Sequence, residues 1–467
     1  MVPFFPKTIS NKGILFYVVS LIVVSLAFYN FAISVMWMLL GLTEVLIFFL
    51  LSTQLTKDWR ILPSKMYEQN VFWVAFLLRV IWVIFSYFFY IKQTGQPFEF
   101  ESADAIGYHE DAEWLATIPW SGVMNYLFTS RSAYSDSGYC LYLTFIYKIF
   151  GSGILIPRFL KALLSSYSCV LLYRLASRCV NEPVGRMTGI FAMLMPNLIV
   201  YCGLHLKETE MLFIAIAFME RADYMLRSEK FSFGALLLSL VLAGSLFLFR
   251  TLLGIVAVFS VVTALVFSPD RMIKKGRKVI VALWIVLAAG VLGGGAIMNE
   301  VEDLWHNRDI NQEMKRMEQV SRGNQWAQYA TGAVMAPVVF ILPLASMVDT
   351  DQQNQLVLSG GNYVRNFMGI FVLMALVNVL FVKKNWRDFA LIGSFIVAYL
   401  GSVSLSGFAN SERFLLPGLP CLVILWSYGI SIMNAKNYKW VKYWFLIVPL
   451  VEIGWAYFKV GSRGLLG

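Results

Sequence analysis

Apolar runs of roughly 18 or more residues recur along this chain with short polar turns between them, the pattern of membrane-crossing helices. Runs near 13–30, 33–54, 71–91, 154–177, 186–203, 209–227, 232–249, 252–269, 279–299, 364–382, 389–407, 414–433 and 442–460 predict about 13 spans. Two stretches break the rhythm. Ser137–Gly151 is aromatic but only moderately long, and counting it as a span would reverse the sidedness of every later loop. We expect an in-plane or re-entrant helix there. Residues 333–348 are apolar but hold two prolines, and the same argument makes them a dipping or in-plane segment. The first run is followed closely by a second with no small-residue cleavage site between them, so it reads as a retained helix. The expected architecture is an all-α polytopic membrane protein, a single integral membrane domain over residues 1–467. Two large loops interrupt it: 92–151, acidic and carrying in-plane helices, and 300–363, with a re-entrant segment.

Charge orients this pattern. Lysines and arginines gather in one set of short turns: Lys57, Arg60 and Lys65; Arg174, Arg178 and Arg186; Arg221, Arg227 and Lys230; Arg271, Lys274, Lys275, Arg277 and Lys278; Lys383, Lys384 and Arg387; Lys436, Lys439 and Lys442. The positive-inside rule places those turns, with the N-terminus, in the cytoplasm and the C-terminus outside. Membrane topology therefore accounts for the net charge of +10, and a nucleic-acid partner is not needed to explain it. A balance of 58% apolar, 16% aromatic and 14% charged residues excludes a soluble protein. The five cysteines are scattered, mostly within apolar runs, and form neither a disulfide framework nor a CxxC metal site.

With this orientation the chemistry-bearing residues converge on the outer face. Glu99, Glu101, Asp104, Glu110, Asp111 and Glu113 crowd one segment in which Lys92 is the only nearby cation. Ala105, Tyr108, Ala112 and Leu115 fall there at helical spacing, so Asp104 opens a short amphipathic helix. Helix capping explains an acid at that position as well as chemistry does. Glu208 lies in a turn so tight (His205-Leu206-Lys207-Glu208) that it sits at membrane depth, where an ionisable group is costly and points to function. Arg413 opens a late span, where the helix dipole disfavours a cation, so it calls for a phosphate or carboxylate partner. Arg250 is a similar outer-edge cation, though a snorkelling arginine needs no ligand. His109, His205 and His306 are the only histidines, and all three fall outside. A divalent metal held by them is the one cofactor left open, without any HExxH-type spacing to support it, and no residue is assigned as a metal ligand. Glu44 and Glu452 stand in apolar runs with no evident partner.

The motif Asp104-Ala105-Ile106-Gly107-Tyr108-His109, a second acid two spans later, and Glu412-Arg413-Phe414-Leu415-Leu416-Pro417 opening a late span together resemble the GT-C membrane glycosyltransferases. Nearest is the group of protein O-mannosyltransferases and aminoarabinose-transferase-like enzymes. The resemblance runs from about residue 71 to 435. It implies transfer of a sugar, with inversion, from a polyprenyl-phosphate donor to a lipid, glycan or protein acceptor on the extracytoplasmic face of the plasma (inner) membrane. It implies Asp104 and Glu208 as catalytic acids and Arg413 beside the donor phosphate. Our reading of the residues adds Lys207 and Arg250 as phosphate partners and Tyr108, His109 and His205 as substrate contacts. A monomer is expected. The chain departs from the group in three ways: its paired Asp-Glu is Asp104-Ala105, its Lys-Pro-Pro entry is Asp136-Ser137-Gly138, and three spans precede the acidic loop instead of one. The rival readings are a flippase or transporter of a lipid-linked sugar and a polysaccharide polymerase or ligase. The first would place its acids near the bilayer middle.

Overall fold

The computed structural model describes residues 4–130, 136–228, 232–267, 340–349, 352–405 and 411–461, together with Trp284 and Val338. Helices dominate. Among the described residues the one extended pairing is an isolated antiparallel bridge between Ala32 and Val348. In chain order the helices are α1 (Lys7–Ala27), α2 (Val35–Ile61), α3 (Ser64–Thr94), α4 (Ala103–Thr117), α5 (Trp120–Asn125) and α6 (Ser137–Phe150). They continue with α7 (Leu155–Cys179), α8 (Glu182–Leu194), α9 (Pro196–Gly203), α10 (Glu208–Arg227), α11 (Phe233–Phe249) and α12 (Thr251–Phe267). The last four are α13 (Ser359–Val382), α14 (Trp386–Ser404), α15 (Glu412–Ser431) and α16 (Ala435–Gly461).

Among the described residues eight helices are long and apolar enough to cross a membrane, nine if α8 and α9 form one span. α11 and α12 occupy predicted spans but have 17 residues each. α10 is longer, yet it carries Glu220, Arg221 and Asp223. The predicted span 279–299 lies outside the described residues except for Trp284, and so does the loop 300–332 with His306. Of the predicted dipping segment 333–348, residues 340–348 and Val338 are described, and 340–348 form no regular helix. Buried irregular backbone at membrane depth needs other groups to satisfy it. Here the Asn366 amide donates to Ile341 O and Pro343 O and accepts from the Ala345 N–H at 3.2 Å.

Local sequence explains where the helices stop. α3 ends at Gly95, whose φ of 79° suits a glycine and lets its N–H reach Ile91 O at 3.1 Å. The span expected over 186–203 is broken instead, bent by 54° between α8 and α9. Pro196 has no N–H, and its ring pushes Met195 into extended geometry (ψ 115°). Ala192, four residues earlier, thus loses its helical donor. Arg79, buried within α3, supplies the replacement, donating to Ala192 O and Met193 O at 3.2 Å each and to Ser165 Oγ at 2.7 Å.

α7 lies at the centre, packed against α3, α8 and α10, while α10 packs on α11 and α12 on α14. The N-terminal hairpin closes against the C-terminal half: α1 on α16, and α2 on α13. Glu44 finds its partner there, since its Oε2 accepts the Gly361 N–H at 3.0 Å and so caps a neighbouring helix. That approach requires a glycine at 360, where a Cβ would stand 2.5 Å from Gly41 O and 2.6 Å from Glu44 Oε2. At the far end of α7, α8 and α10 the cations are paired: Arg174 with Glu68 at 2.6 Å, Arg178 with Glu220 at 2.9 Å, and Arg227 with Asp223 at 2.6 Å. Helical rise along α10 separates the last two pairs from Glu208 by about 20–30 Å. All five cysteines are buried, and among the described residues none forms a disulfide.

Candidate active site

α4 buries Ala105, Tyr108, Ala112 and Leu115, the stripe predicted from spacing, and packs them on α6. Asp104, in its first turn, is therefore left on the open side, with 57% of its side chain exposed. The Ser102 side chain, at the capping position, makes no capping bond. Glu208 opens α10 with its side chain fully buried. Arg413, in the first turn of α15, joins the two: Nε donates to Glu208 Oε1, and Nη1 donates to Asp104 Oδ2. Residues 309 and 205 positions apart thus share one guanidinium.

Magnitudes separate the two arms. A pair as exposed as Arg413–Asp104 contributes at most about 1 kcal/mol. Breaking a buried pair such as Arg413–Glu208 costs roughly 3–5 kcal/mol, because it strands a charge. Glu208 therefore sets where Arg413 stands, and the Asp104 arm is the exchangeable one. Glu208 Oε2 is buried and has no hydrogen-bond partner among the described residues.

Two further cations surround this pair. Arg250, between α11 and α12, lies 3.8 Å from Glu208 Oε1, donates to Tyr399 Oη at 3.1 Å and covers the Phe414 ring at 4.7 Å. It is held inside the protein, not snorkelling to the surface. Lys207 donates to Phe249 O at 2.8 Å and pairs with Asp136, just before α6. Burial, then repulsion from Arg250 and Arg413, pushes the Lys207 ammonium down to about 7, against the pull of Glu208 and Asp104. Tyr108 faces the same group, its ring edge-on to Tyr139 at 5.1 Å. Burial and the Glu208 charge hold its phenol protonated.

Two of the three histidines, His109 and His205, share one partner. His109 Nδ1 and His205 Nε2 both meet Tyr147 Oη, at 2.8 and 3.2 Å, and so form a chain of their own. Burial lowers both imidazoles, His205 the further, so they are neutral near pH 7. Among the described residues no three His, Cys, Asp or Glu side chains are grouped to hold a metal ion. Glu99, in the acidic segment, is only 3% exposed and accepts from the His205 N–H at 3.4 Å. Burial raises its carboxyl above the usual range, although its own backbone and the Arg158 charge oppose this.

The site's supports were not read from sequence. Asp136, Tyr147 and Tyr399 carried no signal there. Arg79, Arg158 and Lys161 did, as cations inside apolar runs.

Residues 139–292 match the dolichyl-phosphate-mannose-protein mannosyltransferase family. This match supports a GT-C membrane glycosyltransferase. At the level of the family it also supports a sugar donor carried on a polyprenyl phosphate. The matched third of the glycosyltransferase includes Tyr147, His205, Lys207, Glu208 and Arg250. Asp104 and Arg413 lie outside it and reach it through tertiary contacts. No curated protein matches the chain.

Proposed function

We propose that this glycosyltransferase moves a sugar from a polyprenyl phosphate to an acceptor hydroxyl or amine at the extracytoplasmic face, inverting the anomeric centre. The single observation carrying this is the guanidinium of Arg413 shared between the exposed Asp104 and the buried Glu208. A cation fixed from behind by a buried acid and only loosely held in front is ready to take a phosphate. The phosphate replaces the Asp104 arm, and Lys207 and Arg250 add charge beside it.

That exchange frees the Asp104 carboxylate to act as base. The acceptor oxygen or nitrogen attacks the anomeric carbon, the bond to the phosphate oxygen breaks, and polyprenyl phosphate leaves with the electron pair. Asp104 takes the acceptor's proton. Arg413, Arg250 and Lys207 stabilise the charge that grows on the phosphate as the bond breaks. Glu208 orients Arg413 and stays ionised. Tyr108 and His109 lie on the acceptor side with a hydroxyl and a neutral imidazole, and His205, fully buried, supports His109 through Tyr147.

The test is transfer from a radiolabelled polyprenyl-phosphate sugar in proteoliposomes, wild type against Asp104→Asn. The expected outcome is label transfer by the wild type and its loss, at least 100-fold, in the folded variant. Unchanged turnover in that variant would remove Asp104 from the mechanism. Label that changes leaflet without breakdown would replace this proposal with a flippase, and lengthening of lipid-linked glycans would replace it with a polymerase.

A further inference from the structure

Within the described part of the matched region, the segment from Met195 to Lys207 is irregular: a broken helix, one turn of 3-10 helix, then a tight turn that hands the chain to α10. Nearly all of its residues are buried, where each unsatisfied carbonyl is costly. At the upper break Arg79 supplies the donors. At the lower turn the donor is Lys161, one fully buried ammonium on α7. It donates to Leu204 O at 2.9 Å and to Leu206 O, the two carbonyls flanking His205. It also stands 3.6 Å from Glu210 Oε2 on α10 and 5.1 Å above the Tyr139 ring of α6. One side chain therefore ties the turn to the first helical turn beyond it. Lys207 and Glu208 lie between those two attachments.

We propose that Lys161 is a positioning residue for the transferase centre, setting the place of Lys207 and Glu208 by gathering the carbonyls of the turn that carries them. It touches neither donor nor acceptor. This rests on the reading of Lys207 and Glu208 given above. A lysine suits the task because its N–H donors diverge from one point, so two reach the carbonyls of the turn while its charge faces the Glu210 carboxylate 3.6 Å away. A hydrophobic residue there would leave both carbonyls and Glu210 stranded. The groups facing Lys207 are Asp136, Glu208, Arg250, Arg413 and Asp104. A displaced turn changes its distance to all five, so the pH dependence of the reaction reports the turn's position where a merely structural lysine would not.

The experiment compares Lys161→Met and Lys161→Arg in the full-length protein, purified in detergent and judged folded by gel filtration and thermal unfolding. Turnover of a radiolabelled polyprenyl-phosphate sugar is followed from pH 6 to 9. Lys161→Met is expected to lose at least tenfold in kcat per folded molecule and to displace the pH limb near 7. Lys161→Arg, which keeps the charge and several donors, is expected to recover much of both. If Lys161→Met does not fold, Glu210→Gln takes its place, removing the carboxylate that fastens the ammonium to α10 and giving a smaller loss of the same kind. Wild-type kcat and pH profile per folded molecule in Lys161→Met, or in Glu210→Gln where that stands in, would overturn the proposal. So would a loss confined to the amount of folded protein. If the variants are as active as the wild type while Asp104→Asn is inactive, this inference fails and the transferase reading stands; if the wild type transfers nothing, the transferase reading itself fails.

Discussion

Replacing Arg413 with lysine tests whether the shared guanidinium is what makes this cluster work. Lysine keeps the positive charge but presents one point where arginine presents a fork, so it can hold Glu208 or reach a phosphate and not do both in fixed geometry. Glu208 is fully buried and Asp104 mostly exposed, so the ammonium will stay with Glu208 and the outer arm will be lost. A charge-assisted hydrogen bond contributes about 1.5–3 kcal/mol. Expressed in the transition state, that loss lowers kcat roughly 10- to 150-fold. Fold stability should change little, because the costly inner pair survives. The assay is initial-rate transfer from a labelled polyprenyl-phosphate sugar in proteoliposomes, with thermal unfolding as the control. A companion cycle with Glu208→Gln should be non-additive by more than about 1 kcal/mol, since both residues act through one contact. Turnover of the folded Arg413→Lys protein within about threefold of wild type would refute the reasoning, and so would strict additivity.

Two other consequences can be measured directly. Lys207 is held down to about 7 by burial and by Arg250 and Arg413. It is charged below that pH and loses its charge above it, so the KM for the donor should rise from pH 7 to 9, and Lys207→Arg should flatten that rise. The same shift has a sign for stability. A cation depressed in the folded state binds fewer protons there than when unfolded, so its penalty is full below about 7 and is relieved as pH climbs toward 10. Arg79→Met strands the carbonyls of Ala192 and Met193, each worth about 1–3 kcal/mol when buried without a donor. Thermal unfolding in detergent should fall by several degrees, and an unchanged midpoint would show that the break at Pro196 is satisfied in another way.

Much of the fold was legible because a membrane imposes its own periodicity. Among the described residues, eight of the 13 expected runs became helices long and apolar enough to cross a membrane, and the α4 stripe became its buried face residue for residue. Composition could not separate the buried Glu99 from its exposed neighbours Glu101, Glu110 and Glu113, because burial is decided by packing and not by local charge. The break at Pro196 was missed for a related reason. A proline in an apolar run reads as tolerable, and whether it bends the helix depends on a donor such as Arg79 lying more than a hundred residues away.

The sequence by itself determined that the chain lives in a membrane, which residue types carry charge into it, and which short motifs resemble a known chemistry. Hydrophobic run length and the cost of buried charge act locally, so they can be read locally. Only the tertiary structure decided that Asp104, Glu208 and Arg413 meet, that Arg250 is held beside them, and that His109 and His205 share a tyrosine. Those contacts join residues up to 309 positions apart, and their energies exist only once separate helices have packed.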